Sequence, residues 1–416
     1  MKTSTTLHHA KRQEPISALP IGKIIETGMT HPSTQEIISG IRMELIQILV
    51  RASILRIILR NYKNPKIIFR IMKTFRMLRR SILGHKRIRK IACVDGKYYW
   101  DLYTPGFKSP AFTNFFEGEA NRIIPIRKDA NRFTNVFIAF TKKCTLHCEH
   151  CFEWDALNGK ESLSLADIKD IVRKFQHKGT GQIQLTGGEP LLRVNDIVDI
   201  LSTAKPDTDF WVLSSGYNLT LGNAIKLRRA GLTGIVISLD HFDPTIHDQF
   251  RGSENSFAWV QAAVKNSIAA NLITALSICA TKSFVTESNL MKYAELAKKM
   301  GVSFVQILEP RAAGHYKEMD VTLTKEQTEI LEHFYLKMNY QKQYEKYPII
   351  TYHGYHQRQV GCFGSGNRNL YVDTDGDLHA CPFCQTKRGN ALSDDLDASI
   401  ENLQIIGCHN FKSFSD

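Results

Sequence analysis

The sequence predicts an α/β protein built on a parallel sheet. From residue 135 onward, strand patterns alternate with amphipathic helix patterns in six units, spaced by about thirty residues. Such alternation is typical of parallel strands joined by right-handed helical crossovers. Three cysteines, Cys144, Cys148 and Cys151, follow the first of these strands, where α/β proteins place their chemistry. Six units are too few to close an eight-fold barrel.

The first 91 residues are predicted to form a basic helical segment. Residues 36–61 have the pattern of a strongly apolar helix, and a second, amphipathic helix is predicted from Asn64-Pro65 to Leu83, where Gly84 can end it. Residues 36–92 hold 15 Lys or Arg and 2 Asp or Glu, and this excess accounts for the whole net charge of +13. The basic character therefore belongs to this segment and not to the rest of the chain.

Three interpretations of this helical pair remain open. The pair is an interfacial membrane anchor if its apolar residues enter the lipid boundary and its cations face anionic head groups. Alternatively, the helices form a hairpin that packs on the body of the protein and has a solvated basic face. They are also suited to present a docking surface to an acidic partner. No apolar run of 18 residues is present, so we expect no membrane-spanning helix.

The rest of the chain divides into a connector, a core and a C-terminal part. The connector, residues 92–133, is predicted to contain a β-hairpin that turns at Asp95-Gly96. The core is assigned to residues 134–320 and the C-terminal part to residues 321–416. Strands are predicted near residues 135–140, 182–186, 209–213, 233–239, 273–280 and 303–308. Helices are predicted near residues 164–177, 194–203, 220–230, 256–270, 287–300 and 322–348.

The cysteine loop has the spacing C-x₃-C-x₂-C over residues 144–151. Thiolates this close can converge on one metal centre, and iron–sulfur clusters are held by cysteine runs of this kind. The loop resembles the signature C-x₃-C-x-Φ-C of the radical S-adenosylmethionine (SAM) enzymes, in which Φ is aromatic and His150 takes that position here. A zinc site is the alternative, although zinc usually takes four ligands in paired C-x₂-C spacing.

The resemblance covers residues 130–416 and implies an open (β/α)₆ partial TIM-type barrel with a [4Fe–4S] cluster at its top. In the family, a Gly-Gly-Glu motif receives the amino group of SAM on its backbone carbonyls. Polar residues at later strand ends contact the ribose and methionine parts, although a turn or helix cap is the alternative for them here. The residues that the resemblance suggests for SAM binding are His150, Gly187, Gly188, Glu189, Ser215, Ser238, Asp240 and Arg251. Among these, His150 is expected against adenine and Arg251 against the SAM carboxylate.

The C-terminal part holds a second group of cysteines, Cys362, Cys381, Cys384 and Cys408, with a β-hairpin predicted at Asp375-Gly376. This arrangement resembles the SPASM extension of radical SAM enzymes, or its shorter twitch form, which carries auxiliary iron–sulfur clusters. The full SPASM pattern has more cysteines than these four, so at most one auxiliary [4Fe–4S] cluster is implied. A structural zinc knot held by the same four thiolates is the alternative.

The resemblance also implies a reaction. A flavodoxin- or ferredoxin-type reductant would supply one electron, SAM would be cleaved to methionine and a 5′-deoxyadenosyl radical, and the radical would take hydrogen from an unactivated carbon. The expected substrate is a ribosomally made peptide, oxidised or cross-linked in a maturase-type reaction. A lipid or small-molecule precursor modified at a membrane surface is the alternative. No side chain is assigned a catalytic role beyond cofactor binding.

The location and remaining partners follow from composition. The first thirty residues lack the apolar core of a secretory signal. We therefore expect a cytoplasmic protein, and under the anchor interpretation it contacts the inner face of an anionic membrane peripherally. A zinc-stabilised nucleic-acid-binding protein is a further alternative, but the cations accompany aliphatic residues and not the aromatic residues that stack on bases. We therefore expect no nucleic-acid partner.

Overall fold

The N-terminal part combines a small sheet with three helices. The computed structural model of the chain describes residues 35–128, 133–362, 364, 366–384 and 386–406. The N-terminal elements are β1 (Glu36–Ser39), α1 (Gly40–Asn61), α2 (Pro65–Leu83), β2 (Lys90–Val94), β3 (Lys97–Tyr99) and α3 (Pro110–Ile123). Strands β1, β2 and β3 form an antiparallel sheet in that order. The predicted hairpin is present, since Asp95 and Gly96 both have positive φ between β2 and β3.

The first helix begins four residues later than predicted. Residues 36–39 form β1, in which Ser39 lies opposite Lys90 of β2. Apolar residues at these positions suit a strand as well as a helix, and the edge of β2 offers hydrogen-bond partners that the local pattern does not reveal. The second helix agrees with the prediction: the Asn64 side chain accepts a hydrogen bond from the Lys66 N–H, and Gly84 follows the helix with a φ of +57°.

A nine-stranded sheet organises the rest of the described chain. Its strands follow the order β10-β9-β8-β7-β6-β5-β4-β11-β12, and all neighbours are parallel except the β11–β12 pair. The elements are β4 (Asn135–Ala139), α4 (Leu165–His177), β5 (Gln182–Thr186), α5 (Val194–Thr203), β6 (Asp209–Ser214), α6 (Leu221–Ala230), β7 (Leu232–Ser238), α7 (Pro244–Arg251), α8 (Ser256–Ala269), β8 (Ile273–Cys279), α9 (Glu287–Met300), β9 (Phe304–Leu308), α10 (Lys325–Tyr340), β10 (Ile349–Tyr352), α11 (His353–Val360), β11 (Asn369–Val372), β12 (Leu378–His379) and α12 (Leu396–Ile406).

The six core strands β4–β9 agree with the predicted strands, and they lie side by side in chain order. The sheet is open, because its two edge strands β10 and β12 are not neighbours of each other. The main hydrophobic core lies between the outer face of this sheet and the helices that cover it. An open, parallel, partial barrel is therefore confirmed.

The C-terminal elements extend this sheet in a way that the sequence did not indicate. Strand β10 adds to the β9 edge, and β11 pairs in parallel with β4. The hairpin predicted at Asp375-Gly376 is present, with Gly376 at a φ of +82°. The predicted helix over residues 322–348 is shorter: Thr324 caps it and it ends at Tyr340. Helices α3, α7, α11 and α12 were not predicted.

The small sheet closes one end of the barrel. Tyr99 and Leu102 pack in one cluster with Ile273, Phe304 and Ile349, the first residues of β8, β9 and β10. The amino ends of the parallel strands are thus covered by the connector. The carboxyl ends lie at the opposite end of the barrel, which we call the mouth.

Candidate functional site

The predicted site residues come together at the mouth. The cysteine loop follows β4, Gly187 follows β5, Ser215 follows β6 and Asp240 follows β7. These strands are neighbours and parallel, so their carboxyl ends meet at one edge of the sheet. The four sequence motifs therefore line a common site.

The three thiols of the cysteine loop are free and influence one another. Cys148 is buried, whereas Cys144 and Cys151 are partly exposed, and none forms a disulfide. Burial raises the pKa of Cys144 to about 11 and that of Cys151 to about 12, and the nearby Cys148 thiol contributes to both shifts. The side chain of Asn158 accepts the Cys144 N–H at 3.0 Å and orients the start of the loop. Coordination to a metal ion ionises thiols of this kind.

The donor set fits a cluster better than a single ion. In the described residues, no three His, Cys, Asp or Glu side chains are placed to hold one metal ion. A four-iron cluster binds each thiolate at a different iron, so its ligands lie farther apart than those of one zinc ion. Three neighbouring thiols on one loop would therefore fit as the protein ligands of a [4Fe–4S] cluster.

A buried ion pair lies directly beside Cys148. Arg251 Nη2 is 2.5 Å from Asp240 Oδ2, and Arg251 Nη1 donates to Cys148 Sγ at 3.5 Å. Asp240 Oδ1 also accepts the N–H of Cys279 at 2.9 Å. Burial raises the Asp240 pKa, but the Arg251 guanidinium, the two nearby imidazoles and the Cys279 N–H together outweigh burial, so the Asp240 pKa is lowered. The guanidinium that the sequence suggested for SAM thus already contacts the Asp240 carboxylate and the Cys148 thiol.

Two imidazoles near this ion pair are neutral. Burial lowers the pKa of both His150 and His247 to about 4. His247 Nδ1 accepts the Asp240 N–H at 3.1 Å. The His150 ring stacks on Phe250, with ring centroids 5.0 Å apart and an angle of 26° between the planes. One face of the His150 ring is therefore covered by Phe250.

The two glycines of the Gly-Gly-Glu motif lie in close contact with the backbone of Thr141 and Lys143. The Gly188 N–H donates to the Thr141 carbonyl and the Glu189 N–H to the Lys143 carbonyl, both at 2.7 Å. A Cβ on Gly188 would lie 2.2 Å from the Lys143 oxygen, and one on Gly187, where φ is +120°, would lie 2.5 Å from the Thr141 oxygen. No other residue fits there. The glycines thus let the loop after β5 lie against the segment that leads into the cysteine loop.

The Glu189 carboxylate is held by hydrogen bonds from other groups of the protein. It accepts hydrogen bonds from the Ser215 N–H at 2.8 Å, the Ser215 hydroxyl at 2.5 Å, the Ser214 hydroxyl at 2.7 Å and the Leu191 N–H at 2.9 Å. Burial raises the Glu189 pKa, and these hydrogen bonds oppose that rise. Glu189 and Ser215 therefore join the loops after β5 and β6, whereas Ser238 lies partly exposed at the end of β7.

Two residues that the sequence analysis missed brace the cysteine loop. The His315 N–H donates to the Cys151 carbonyl at 2.8 Å, and His315 Nδ1 lies 3.2 Å from the Cys148 carbonyl oxygen. Trp154 stacks on His315 with ring centroids 3.7 Å apart. His315 follows β9, far from the cysteines in the chain. No local motif links His315 to the cysteines, so only the tertiary structure could have revealed this contact.

The second cysteine group lies close to the first. Its described members are Cys362, Cys381 and Cys384, and Cys408 lies outside the described residues. Phe383 lies between Cys381 and Cys384 in the sequence. Its ring packs against that of Phe152, the residue after Cys151, with ring centroids 6.1 Å apart. A polar cavity of about 80 Å³ lined by Glu153, Tyr371 and Cys384, among others, adjoins this contact. The two groups are therefore linked by packed rings, and the auxiliary cluster stays a prediction.

Comparison with known proteins agrees with this geometry. Residues 138–297 match the model of the Radical SAM superfamily. A probable GTP 3′,8-cyclase of Archaeoglobus fulgidus is 37% identical over 110 residues, which are 26% of this chain and 36% of that protein. The GTP 3′,8-cyclase of Yersinia pestis is 25% identical over 292 residues, 67% of this chain and 88% of that protein. This chain thus spans about a third of the length of the archaeal relative.

Two solved structures share the fold. The crystal structure of Streptococcus suis SuiB bound to its precursor peptide SuiA has a TM-score of 0.54 and 14% identity, over 71% of this chain and 70% of SuiB. The anSMEcpe structure with bound AdoMet and the Cp18Cys peptide has a TM-score of 0.51 and 16% identity, over 64% and 80% of the two chains. These identities support a common fold only. The matched family model over residues 138–297, together with the cysteine loop at the mouth, supports a radical SAM domain in this chain, of the superfamily that uses SAM and a [4Fe–4S] cluster.

Proposed function

We propose that Cys144, Cys148 and Cys151 hold the [4Fe–4S] cluster of this radical SAM enzyme at the mouth of the barrel. The observation that carries the proposal is the set of three free thiols on one loop, beside the buried Asp240–Arg251 pair. When bound, the cluster and SAM supply reductive cleavage of SAM and a 5′-deoxyadenosyl radical that takes hydrogen from an unactivated carbon. A flavodoxin- or ferredoxin-type protein is the proposed electron donor.

The chain itself positions the cofactors and excludes water. Arg251 directs an N–H at Cys148 Sγ and so stabilises a thiolate there. The backbone at Gly187 and Gly188 is proposed to receive the SAM amino group, because it is fixed against the cysteine loop. Ser238 and Asp240 are proposed for the ribose and methionine side of SAM, where Asp240 acts together with Arg251.

The proposed substrate is a ribosomally made peptide that is oxidised or cross-linked. Two fold relatives are peptide-bound structures, which supports this choice at the level of fold. The inner wall of the barrel is also polar enough to receive peptide groups: Gln306 hydrogen-bonds the Tyr103 hydroxyl, and the His353 ring lies 4.5 Å from the Tyr103 ring. The four C-terminal cysteines are proposed to hold an auxiliary [4Fe–4S] cluster that accepts the electron left on the substrate.

A second candidate is a small-molecule or lipid precursor, modified by an enzyme that sits on the inner face of a membrane. The sequence relatives named as GTP 3′,8-cyclases support a small-molecule substrate. The exposed aliphatic face of α1 supports a membrane location. The two candidates differ in substrate and share the same radical chemistry.

The cluster assignment is tested by replacing Cys144, Cys148 and Cys151 with Ala together. Iron in the anaerobically reconstituted protein should fall from about eight to about four per chain, by the ligand count of two four-iron sites. Formation of 5′-deoxyadenosine with dithionite should stop. The matched control is Cys93→Ala, at a position far from the mouth. This variant should keep its iron content and its formation of 5′-deoxyadenosine. A triple variant that still forms 5′-deoxyadenosine would show the assignment to be wrong.

The auxiliary site is tested by replacing Cys381 and Cys384 with Ala. This variant should keep some uncoupled SAM cleavage and lose turnover of the substrate, because its first cluster is intact. One equivalent of zinc with only four irons in the anaerobically purified wild type would instead support the zinc knot.

The substrate class is tested by isotope transfer. A deuterated peptide encoded next to this gene should pass deuterium to 5′-deoxyadenosine, as detected by mass spectrometry. Deuterium transfer from a labelled lipid or small-molecule extract, with none from the peptide, would favour the second candidate.

A further inference from the structure

Helix α1 carries an aliphatic stripe that no described part of the chain covers. Six large apolar side chains are exposed by 38–80%: Ile41, Leu45, Ile48, Leu49, Leu55 and Leu59. They recur at steps of three, four and seven residues and so lie along one face of the helix. The other face is buried through Met43, Ile46, Val50, Ile57 and Ile58. A single exposed leucine is ordinary, but a contiguous stripe of this length marks an interaction surface.

The stripe is the outermost layer at the closed end of the barrel. Residues of β2 alternate between two neighbours: Ala92 and Val94 pack towards the nine-stranded sheet, whereas Ile91 and Cys93 pack against α1. The small sheet therefore lies between the barrel floor and the buried face of α1. The exposed stripe, on the opposite face of α1, points away from the barrel and from its mouth.

Cations border the stripe on both sides. Arg42, Arg51, Arg56 and Arg60 of α1 are all exposed. In the described residues only Arg42 of these four has a carboxylate partner, Glu36 at 2.9 Å. The neighbouring helix α2 adds further exposed cations, namely Lys66, Arg70, Lys73, Arg76 and Arg80. The surface thus combines an aliphatic centre with a cationic border that has few internal counter-charges.

We infer that this surface, the stripe with its bordering cations, binds the anionic surface of a lipid bilayer. An acidic protein would satisfy the cations and leave the aliphatic residues exposed to water, whereas an apolar partner helix would leave the cations without counter-ions. An anionic bilayer satisfies both, because acyl chains accept the stripe and phosphates face the arginines. Helix α1 lies in the interface plane, since no helix in the described residues has the length and hydrophobicity to cross a bilayer.

The placement of the stripe sets the orientation of the enzyme. The closed end of the barrel faces the lipid, and the mouth lies on the far side of the sheet. Strands of five to seven residues separate the two ends by about 20 Å. Substrate therefore enters from the aqueous side, so a lipid precursor of the second candidate function must leave this bilayer to reach the cofactors. This consequence rests on the proposed site at the mouth, whereas binding to lipid does not.

Binding is tested with the full chain and sedimented vesicles. Vesicles of phosphatidylcholine with about one third phosphatidylglycerol should bind the protein at low salt, and pure phosphatidylcholine should not. Binding should weaken as salt shortens the Debye length from about 30 Å to about 3 Å. Each cation near the leaflet contributes about fivefold in affinity, so Arg51→Gln, Arg56→Gln and Arg60→Gln together should weaken binding by roughly 100-fold.

The stripe is tested separately with Leu45→Gln, Ile48→Gln and Leu59→Gln in one variant. Because these side chains are exposed, the fold should be unaffected, and circular dichroism checks this. Vesicle binding should fall by at least about tenfold. The matched control replaces Leu221 and Ile405, which are 43% and 84% exposed on other helices, and should bind like the wild type.

Orientation is tested with bilayers brominated in the acyl chains. Tryptophan fluorescence should be quenched for Leu45→Trp but not for Met319→Trp, which lies in the loop region after β9 at the mouth.

The inference is wrong if the wild type does not bind anionic vesicles at low salt, or if the stripe variant binds them as well as the wild type does. It is also wrong if the stripe variant only turns a dimer into a monomer, or if vesicle binding requires removal of residues 1–34. Those two results assign the stripe to a second copy or to the N-terminal segment. None of these readouts needs SAM cleavage, so failure of the proposed function would not affect them.

Discussion

Arg251 shows how a single residue connects the cysteine loop to the fold. Its carbonyl accepts the His147 N–H at 3.2 Å, and its guanidinium contacts both Cys148 Sγ and Asp240. Arginine keeps its charge at every accessible pH. Cys148 therefore always faces a cation, and this cation in turn has a buried counter-ion. Under the proposed function, these contacts would fix the orientation and the basicity of the Cys148 thiolate.

At the residue scale, Gly188→Ala should disrupt the site. The new Cβ would lie 2.2 Å from the Lys143 carbonyl oxygen, so the two loops must move apart. We expect a loss of about 1–3 kcal/mol in the free energy of unfolding, together with reduced iron content after reconstitution. Chemical denaturation and iron analysis measure the two effects.

Gly222→Ala is the matched control. Gly222 lies in α6, and the nearest atom to its added Cβ would be 3.9 Å away. Alanine should raise the free energy of unfolding by about 0.5–1 kcal/mol there, because it favours the helix. Equal behaviour of the two variants would contradict the close approach at Gly188.

Asp209 should make stability depend on pH. It is buried at the start of β6, and burial raises its pKa to about 6, whereas an unfolded aspartate titrates near 3.9. Between these values the folded protein holds a proton that the unfolded chain releases, so stability falls as pH rises through this window. Asp209→Asn removes that loss. It should stabilise the protein by about 1–3 kcal/mol at pH 8, and this gain should vanish near pH 4.

Thermal unfolding at pH 4, 6 and 8 measures this effect, with Asp394→Asn as the control. Asp394 is exposed, so its replacement should leave the Tm unchanged at each pH. A gain for Asp209→Asn that is the same at all three pH values would exclude titration as the cause.

At the scale of elements, α1 has two apolar faces with different neighbours. Its inner face packs with α2, α3 and the small sheet, while its outer face is exposed. The hairpin interpretation therefore describes the inner face, and the membrane interpretation concerns the outer face alone. Deleting residues 1–90 would expose the contacts of the inner face, so single substitutions separate the two faces more cleanly.

Two adjacent residues provide that separation. Ile58 is fully buried, whereas Leu59 is 49% exposed. Ile58→Ala should lower the free energy of unfolding by about 2–4 kcal/mol, because it leaves a cavity between α1, α2 and α3. Leu59→Ala should change it by less than about 0.5 kcal/mol. Urea unfolding measures both, and a similar cost at the two positions would contradict the described orientation of α1.

At the scale of the whole molecule, the connector is part of the barrel. Tyr99 fills the floor beside Trp211, and the Gln182 side chain donates to the Leu102 carbonyl at 2.9 Å. The Lys90 ammonium donates to three carbonyls, those of Tyr344, Tyr347 and Pro348. These contacts join the N-terminal part to the start of β5 and to the segment just before the edge strand β10.

Tyr99→Ala should therefore destabilise the entire barrel. Removal of a buried aromatic ring should cost about 3–5 kcal/mol. Unfolding followed by circular dichroism and by tryptophan fluorescence should give one common midpoint in both proteins, lower in the variant. Two separate midpoints in the wild type would show that the connector folds independently of the sheet.

Local patterns in the sequence determined the core of this protein. The six βα units, both Gly-containing hairpin turns and the capped starts of α2 and α10 depend on residue periodicity and on turn or cap chemistry within a few positions. The cysteine spacing and the Gly-Gly-Glu sequence likewise indicated the family, because cofactor chemistry requires these residues close together in the chain. For such features the sequence is sufficient.

Only the tertiary structure decided features that depend on distant partners. Strands β1 and β10 are short and gain their hydrogen bonds from other strands, so periodicity cannot reveal them. The parallel pairing of β11 with β4 likewise depends on a distant partner. Arg251 and Cys148 are 103 positions apart, and their contact leaves no local trace. Helix α1 has apolar residues on two faces, so its pattern could not show which of the two is buried. Packing against the small sheet decides this, because burial is a property of the neighbours and not of the residue alone.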